Sequence, residues 1–187
     1  LCTQCRQEYE NPLDRRFHAE PIACPTCGPQ LIFYSPAQGW VKQTKPALAA
    51  CVQSLQEGKI VAVKGIGGYH LLCLADNDAA ITRLRKNKGR PDKPLAVMFP
   101  ITGQDGLDAV RQVAVLEHEE IALLCQPMRP IVIVKKSTAS LLAESVAPNL
   151  NQIGVLLPYS PLHHLLLAEI GKPMVATSAN ISGEPVL

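Results

Sequence analysis

Aromatic residues are scarce in this sequence, with one Trp, three Phe and four Tyr among 187 residues. None is interleaved with the basic residues clustered at 83–93, which argues against a surface that stacks the bases of single strands. Net charge is also small, +2 from 18 basic and 16 acidic residues, so an anion site must come from local clustering. No run of 18 apolar residues occurs, and "LCTQCRQEYE" lacks the basic and apolar regions of a signal peptide. The expectation is a soluble, cytoplasmic protein with no membrane role. The G-x4-G-K-[ST] phosphate loop is absent, as are a nucleophilic triad, an internal repeat and a low-complexity tract. The first residue is Leu rather than Met, which predicts a fragment of a longer chain.

Cysteine, by contrast, is present at seven positions, unevenly spread. Cys51, Cys73 and Cys125 stand among apolar residues, as inert core thiols do. Cys2, Cys5, Cys24 and Cys27 form two C-x2-C pairs separated by 18 residues. Each pair offers two thiolates from one tight turn, and four thiolates complete a tetrahedron around zinc with no open position. Gly28 and Pro29 follow the second pair, where the chain must turn sharply. Structural zinc is the expectation, with a redox dithiol or unligated thiols as the alternatives.

Residues 1–30 are polar and nearly free of apolar periodicity, as in a small module stapled by metal. Residues 31–45 read as a linker and 46–187 as the main domain. In that domain a helix is expected from Pro46 to Gly58, with Leu48, Cys51, Val52 and Leu55 on one face. "IVAVK" (60–64) reads as a buried strand, and "DNDAAITRLRKNKG" as a helix capped at its start and stopped at Gly89. Apolar runs at 95–99, 130–135, 153–157 and 174–178 alternate with helical patterns near 105–125 and 161–170. Because these runs are continuous rather than alternating, they predict a sheet covered on both faces. The fold class is α/β (α+β), with a twisted mixed sheet covered by helices.

Three segments carry candidate chemistry. Arg83, Arg85, Lys86, Lys88, Arg90 and Lys93 lie within eleven positions, opposed only by Asp92. A solvated helix end explains such a run, since the helix dipole attracts cations there. Pro91 and Pro94, however, fix the segment's shape outside the helix, as an anion clamp requires. "KGIGGYH" (64–70) puts Gly65, Gly67 and Gly68 after a strand, where backbone can approach a ligand or merely turn. "TSANISG" (177–183) brings two hydroxyls and an amide to another strand end.

Taken in order, "KGIGGYHL", "NKGRPDKPLAVM", "GVLLPYSPLHHLL" and "TSANISGEP" resemble the YrdC-like domain. With the preceding "CTQCRQEYENPLDRRFHAEPIACPTCGP", the resemblance narrows to the hydrogenase maturation carbamoyltransferases of the HypF family. It implies a fragment: the second four-cysteine zinc-finger motif and most of a YrdC-like domain truncated at its C-terminus. An acylphosphatase-like domain, a first zinc motif and a Kae1-like domain would be missing. In that family carbamoyl phosphate is hydrolysed to carbamate, and the YrdC-like domain adenylates carbamate with ATP, releasing pyrophosphate. The carbamoyl group then passes to the C-terminal cysteine of HypE and becomes the cyanide ligand of the [NiFe] hydrogenase iron.

The resemblance also implies site residues. Lys88, Arg90 and Lys93 would hold the triphosphate, with Lys88 and Arg90 closest to the reaction. Ser178 and Asn180 would face the nucleotide. Lys64, Gly67, Gly68 and His70 would shape the carbamate pocket, although His70 also reads as a satisfied core histidine. Magnesium would bridge the phosphates. The related threonylcarbamoyl-AMP synthases often carry Arg before Met-Pro where this chain has Leu156 in "VLLP", which disfavours a threonine-accepting site. The rival classes are an RNA-binding module gripping a phosphate backbone and an inactive scaffold between missing domains.

Overall fold

The computed structural model describes residues 1–20, 24–138, 140–181 and 184–185. The chain divides into two compact units, Leu1–Ala50 and Cys51–Leu187. No helix among the described residues is long and apolar enough to cross a membrane.

The first unit opens with α1 (Thr3–Glu10), whose single buried residue is Cys5. The stretch expected to be a linker carries a hairpin instead, β1 (Ile32–Ser35) paired antiparallel with β2 (Gly39–Lys42). Its turn closes through Gly39 at φ 69°, and the opposed Tyr34 and Trp40 rings lie 4.8 Å apart. Both rings are largely exposed, so the hairpin leaves little of the apolar patterning by which strands are recognised. Helix α2 (Thr44–Gln56) begins two residues before Pro46 and ends just short of Gly58, which takes φ 75°.

The second unit is built on seven strands: β3 (Val61–Lys64), β4 (Tyr69–Leu74), β5 (Ala96–Met98), β6 (Ala114–Val115), β7 (Val132–Lys136), β8 (Gln152–Leu156) and β9 (Met174–Ser178). They are ordered β3-β4-β9-β5-β8-β7-β6, and only β5 with β8 is parallel. Between them run α3 (Asp78–Lys88), α4 (Asp108–Arg111), α5 (His118–Leu124), a 3-10 turn (Glu144–Val146) and α6 (Pro161–Ile170). The mixed, helix-covered sheet matches the expected class. Two strands went unread: β4, which hides behind the glycine turn, and the two-residue β6.

Strand pairing sorts the side chains onto two faces. One face buries Cys73, Val97, Val155 and Val175 in a cluster completed by Ile81, Leu84, Phe99, Leu107 and Val110. The other face bears Leu72, Leu74, Met98 and Met174, also buried. Between these, Ala96, Gly154 and Ala176 stand side by side across β5, β8 and β9. Their small size leaves a trough in the second face, and Ile133, paired with Gly154, remains 64% exposed beside it. Cover on both faces is therefore interrupted where the sequence places its smallest residues.

Candidate functional site

The trough is a cavity of about 520 Å³ whose floor is Ala96, Met98, Leu156 and Ala176. His70, Tyr159, Thr177, Ser178 and Arg90 also line it, as do Met128, Arg129 and Ile131. The antiparallel order brings the end of β3, the start of β4, the end of β9 and the start of β5 to one edge of the sheet. His70 is thereby registered opposite Ser178. The three segments singled out in the sequence, "KGIGGYH", "NKGRPDK" and "TSAN", converge there.

Helix α3 delivers the basic segment. Asn77 caps its start by accepting from the Ala80 amide. Its inward stripe continues from Ile81 and Leu84 to Arg85 and Lys88, all buried. Gly89 at φ 60° ends the helix, while the Arg90 amide donates to the Arg85 carbonyl and the Gly89 amide to that of Lys86. Nothing crowds Gly89, so its requirement is conformational.

Lys88 and Arg90 face different tasks. The Lys88 ammonium is buried and donates to the carbonyls of Ser178 and Asn180, each at 2.5 Å, and to Asn180 Oδ1 at 3.3 Å. Ser178 Oγ donates to the same Asn180 Oδ1 at 2.5 Å, and the Ala179 amide donates to the Tyr69 carbonyl at 2.8 Å. Lys88 thus ties the helix end to the "TSAN" turn. Burial, and then the charge of Arg90, push its ammonium below the usual lysine range. Arg90 lines the trough and turns Nη2 back onto the Pro94 carbonyl at 2.7 Å and Nε onto that of Lys93 at 3.3 Å. Lys93 is exposed, and its backbone carbonyl accepts from Arg85 and Arg90.

At the glycine turn, the Gly65 amide donates to the Gly68 carbonyl at 2.8 Å, and Gly68 takes φ 142°. A Cβ at Gly65 would lie 2.7 Å from His70 Cε1, so the missing side chain makes room for the histidine. A Cβ at Gly67 would meet nothing within 4 Å. Lys64 is exposed, its Nζ 6.0 Å from the Tyr69 ring centroid.

His70 joins a ring cluster that sequence reasoning missed. Tyr159 Oη lies 3.2 and 3.1 Å from its two ring nitrogens, and His163 of α6 packs 5.6 Å from His70 and 4.7 Å from Tyr159. His163 is fully buried, and among the described residues neither ring nitrogen has a hydrogen-bond partner. Burial, helped by His70 and His164, lowers it to about 4. Burial lowers His70 as well. Arg129, at φ 47°, was missed too, and only the Pro after it marked the position.

In the first unit, the sulfurs of Cys2, Cys5, Cys24 and Cys27 all lie within 4.8 Å of one another. A tetrahedral zinc with Zn–S near 2.3 Å needs sulfurs about 3.8 Å apart, and Cys2 to Cys24 measures 3.9 Å. The donor set therefore fits the metal. The Gly28 amide donates to the Cys24 carbonyl at 2.8 Å, and a Cβ at Gly28 would collide with that carbonyl. The Cys27 and Thr26 amides pull the Cys24 thiol down to about 6, toward the thiolate that zinc binds.

Comparison with known proteins places both units. A Sua5/YciO/YrdC family model, described as "Telomere recombination", matches residues 53–187, and a "HypF finger" model matches residues 1–34. The chain is 45% identical over 185 residues to a carbamoyltransferase HypF of Rhodobacter capsulatus, covering 99% of this chain and 24% of that relative. A crystal structure of full-length HypF in the phosphate- and nucleotide-bound form superposes with TM-score 0.80 at 41% identity, over 99% of this chain and 23% of that one. A threonylcarbamoyl-AMP synthase of Vibrio vulnificus is 30% identical, covering 73% of each chain. The chain thus spans about a quarter of the length of the HypF relatives.

Proposed function

The chain belongs to the Sua5/YciO/YrdC family, in the branch of the HypF carbamoyltransferases, and on that premise we propose that its trough adenylates carbamate. The observation that carries the reading is the convergence of Arg90, Ser178 and His70 around one cavity with an apolar floor. The similar HypF in a phosphate- and nucleotide-bound form supports ATP as the ligand. On this reading residues 46–187 form the adenylating domain and residues 1–30 a zinc module.

The reaction asks little of acid–base chemistry. A carbamate oxygen attacks the α-phosphorus of ATP, the bond from that phosphorus to the bridging oxygen breaks, and pyrophosphate leaves with the electron pair. The products are carbamoyl-AMP and pyrophosphate. Positioning and charge stabilisation carry such a step. Arg90 turns its planar fork from the Lys93 and Pro94 carbonyls to phosphate oxygens, with Lys93 at the open side of the loop. Lys88 holds the Ser178–Asn180 turn against the nucleotide. Gly67 gives the backbone room to approach, while Lys64 and His70 bound the carbamate end. Magnesium enters with the triphosphate. Zinc, held by Cys2, Cys5, Cys24 and Cys27, stabilises the first unit and takes no part in the chemistry. The carbamoyl group goes on to HypE through the remaining domains of the HypF protein.

The experiment is exchange of labelled pyrophosphate into ATP by the full-length protein. Exchange that depends on carbamate supports the reading. Exchange that depends on L-threonine and bicarbonate would move the chain to the threonylcarbamoyl-AMP synthase reaction, and a steep salt slope for RNA with no ATP binding would favour the RNA module.

A further inference from the structure

The most heavily engaged cation of this site lies behind it. Arg85 is only 6% exposed, on the inward stripe of α3 between Leu84 and Lys88. Its Nη1 donates to the carbonyls of Arg90, Pro91 and Lys93, each at 3.0 Å. Its Nε donates to the Ser145 carbonyl at 2.6 Å and its Nη2 to that of Val146 at 3.0 Å. One guanidinium therefore joins three carbonyls of the Lys-x-Arg-Pro-x-Lys loop to two of the 3-10 turn at Glu144–Val146. These acceptors are neutral, and the ionisable neighbours that act on Arg85 are Arg90, of like charge, and Asp92.

From this geometry we infer that Arg85 is the positioning residue that holds the 90–94 loop in its phosphate-receiving shape, and so sets the affinity for the triphosphate without touching it. The two prolines limit the loop's backbone freedom, but they cannot fix its placement against the rest of the fold. Three carbonyls turned toward one buried guanidinium do fix it. They also point the negative ends of their dipoles at Arg85, inside the loop and away from an arriving anion. A lysine in this place keeps the charge but presents a compact ammonium with three N–H groups, too few and too clustered to reach both sides. The inference rests on the adenylation reading proposed above.

The test compares full-length wild type with Arg85→Lys and Arg85→Ala, measuring KM for ATP, KM for carbamate and ATP affinity by calorimetry. For Arg85→Lys the expectation is ATP affinity weakened by about tenfold or more, the scale of one lost charge-assisted hydrogen bond. KM for carbamate should change by less than about twofold. In Arg85→Ala, millimolar methylguanidinium should restore ATP affinity where methylammonium does not, a rescue that general destabilisation would not show. Hydrogen exchange should speed up at the Arg90, Asp92 and Lys93 amides and not in the strands. Equal ATP affinity in wild type and Arg85→Lys overturns the inference. So do parallel losses in both KM values, or variants that fail to fold, since Arg85 would then act only through stability. If wild type itself neither binds ATP nor exchanges pyrophosphate, the adenylation reading has failed, which is a distinct result.

Discussion

The Lys88 ammonium donates to the Ser178 carbonyl at 2.5 Å, joining the end of α3 to the end of β9 across ninety residues of sequence. With Asn180 supplying two further acceptors, its three donors are all engaged. Lys88→Met keeps the stem and removes this donor from the Ser178 and Asn180 carbonyls, so stability should fall by roughly 2–4 kcal/mol. Urea unfolding measures this. Unchanged stability with lost ATP affinity would instead make Lys88 a direct phosphate ligand.

The cysteine cluster should hold one zinc per chain. Metal analysis of Cys24→Ser with Cys27→Ser should find the zinc lost, and a chelator should unfold the first unit while the sheet of the second persists. Normal zinc content in the double variant would contradict the assignment.

His163 makes stability depend on pH. Its folded form binds a proton only near pH 4, against about 6.5 when unfolded. Between those values the unfolded chain binds more protons, so stability is full above about pH 6.5 and is lost as pH falls toward 4, by roughly 3 kcal/mol at most. Unfolding at pH 7.5 and 4.5 should show that loss in wild type and much less of it in His163→Phe. An equal loss in both proteins would place the pH sensitivity elsewhere.

ATP, and not carbamoyl phosphate, should be the ligand of the trough. Calorimetry with each compound decides it, and tight binding of carbamoyl phosphate without ATP would assign the wrong step to this domain.

Much of this was legible in the sequence. Asn77 and Gly89 bounded α3, and the C-x2-C pairs marked the metal cluster, because caps and ligand spacings are local. The site was legible as three segments, but the work of individual cations was not. Arg85 read only as a member of the basic run and Lys88 as a triphosphate ligand, although their spacing from Ile81 and Leu84 puts both on the buried stripe. That periodicity was the signal for Arg85, and it was masked by the rule that cations gather at helix ends. Arg83 is not idle either, since its Nη2 reaches the Gly58 carbonyl at 2.5 Å. The trough itself depends on Ala96, Gly154 and Ala176 being neighbours, which only strand order decides.

The most direct test concerns Arg90, a cation that lines the trough. Pyrophosphate exchange and ATP affinity should be measured for wild type, Arg90→Lys and Lys86→Arg, the last changing an exposed residue of the same helix end. Arg90→Lys keeps the charge and loses the fork, so it should weaken ATP binding by roughly 1–3 kcal/mol while Lys86→Arg matches wild type. Equal binding and exchange in all three folded proteins would contradict the clamp and leave the basic segment a solvated helix end.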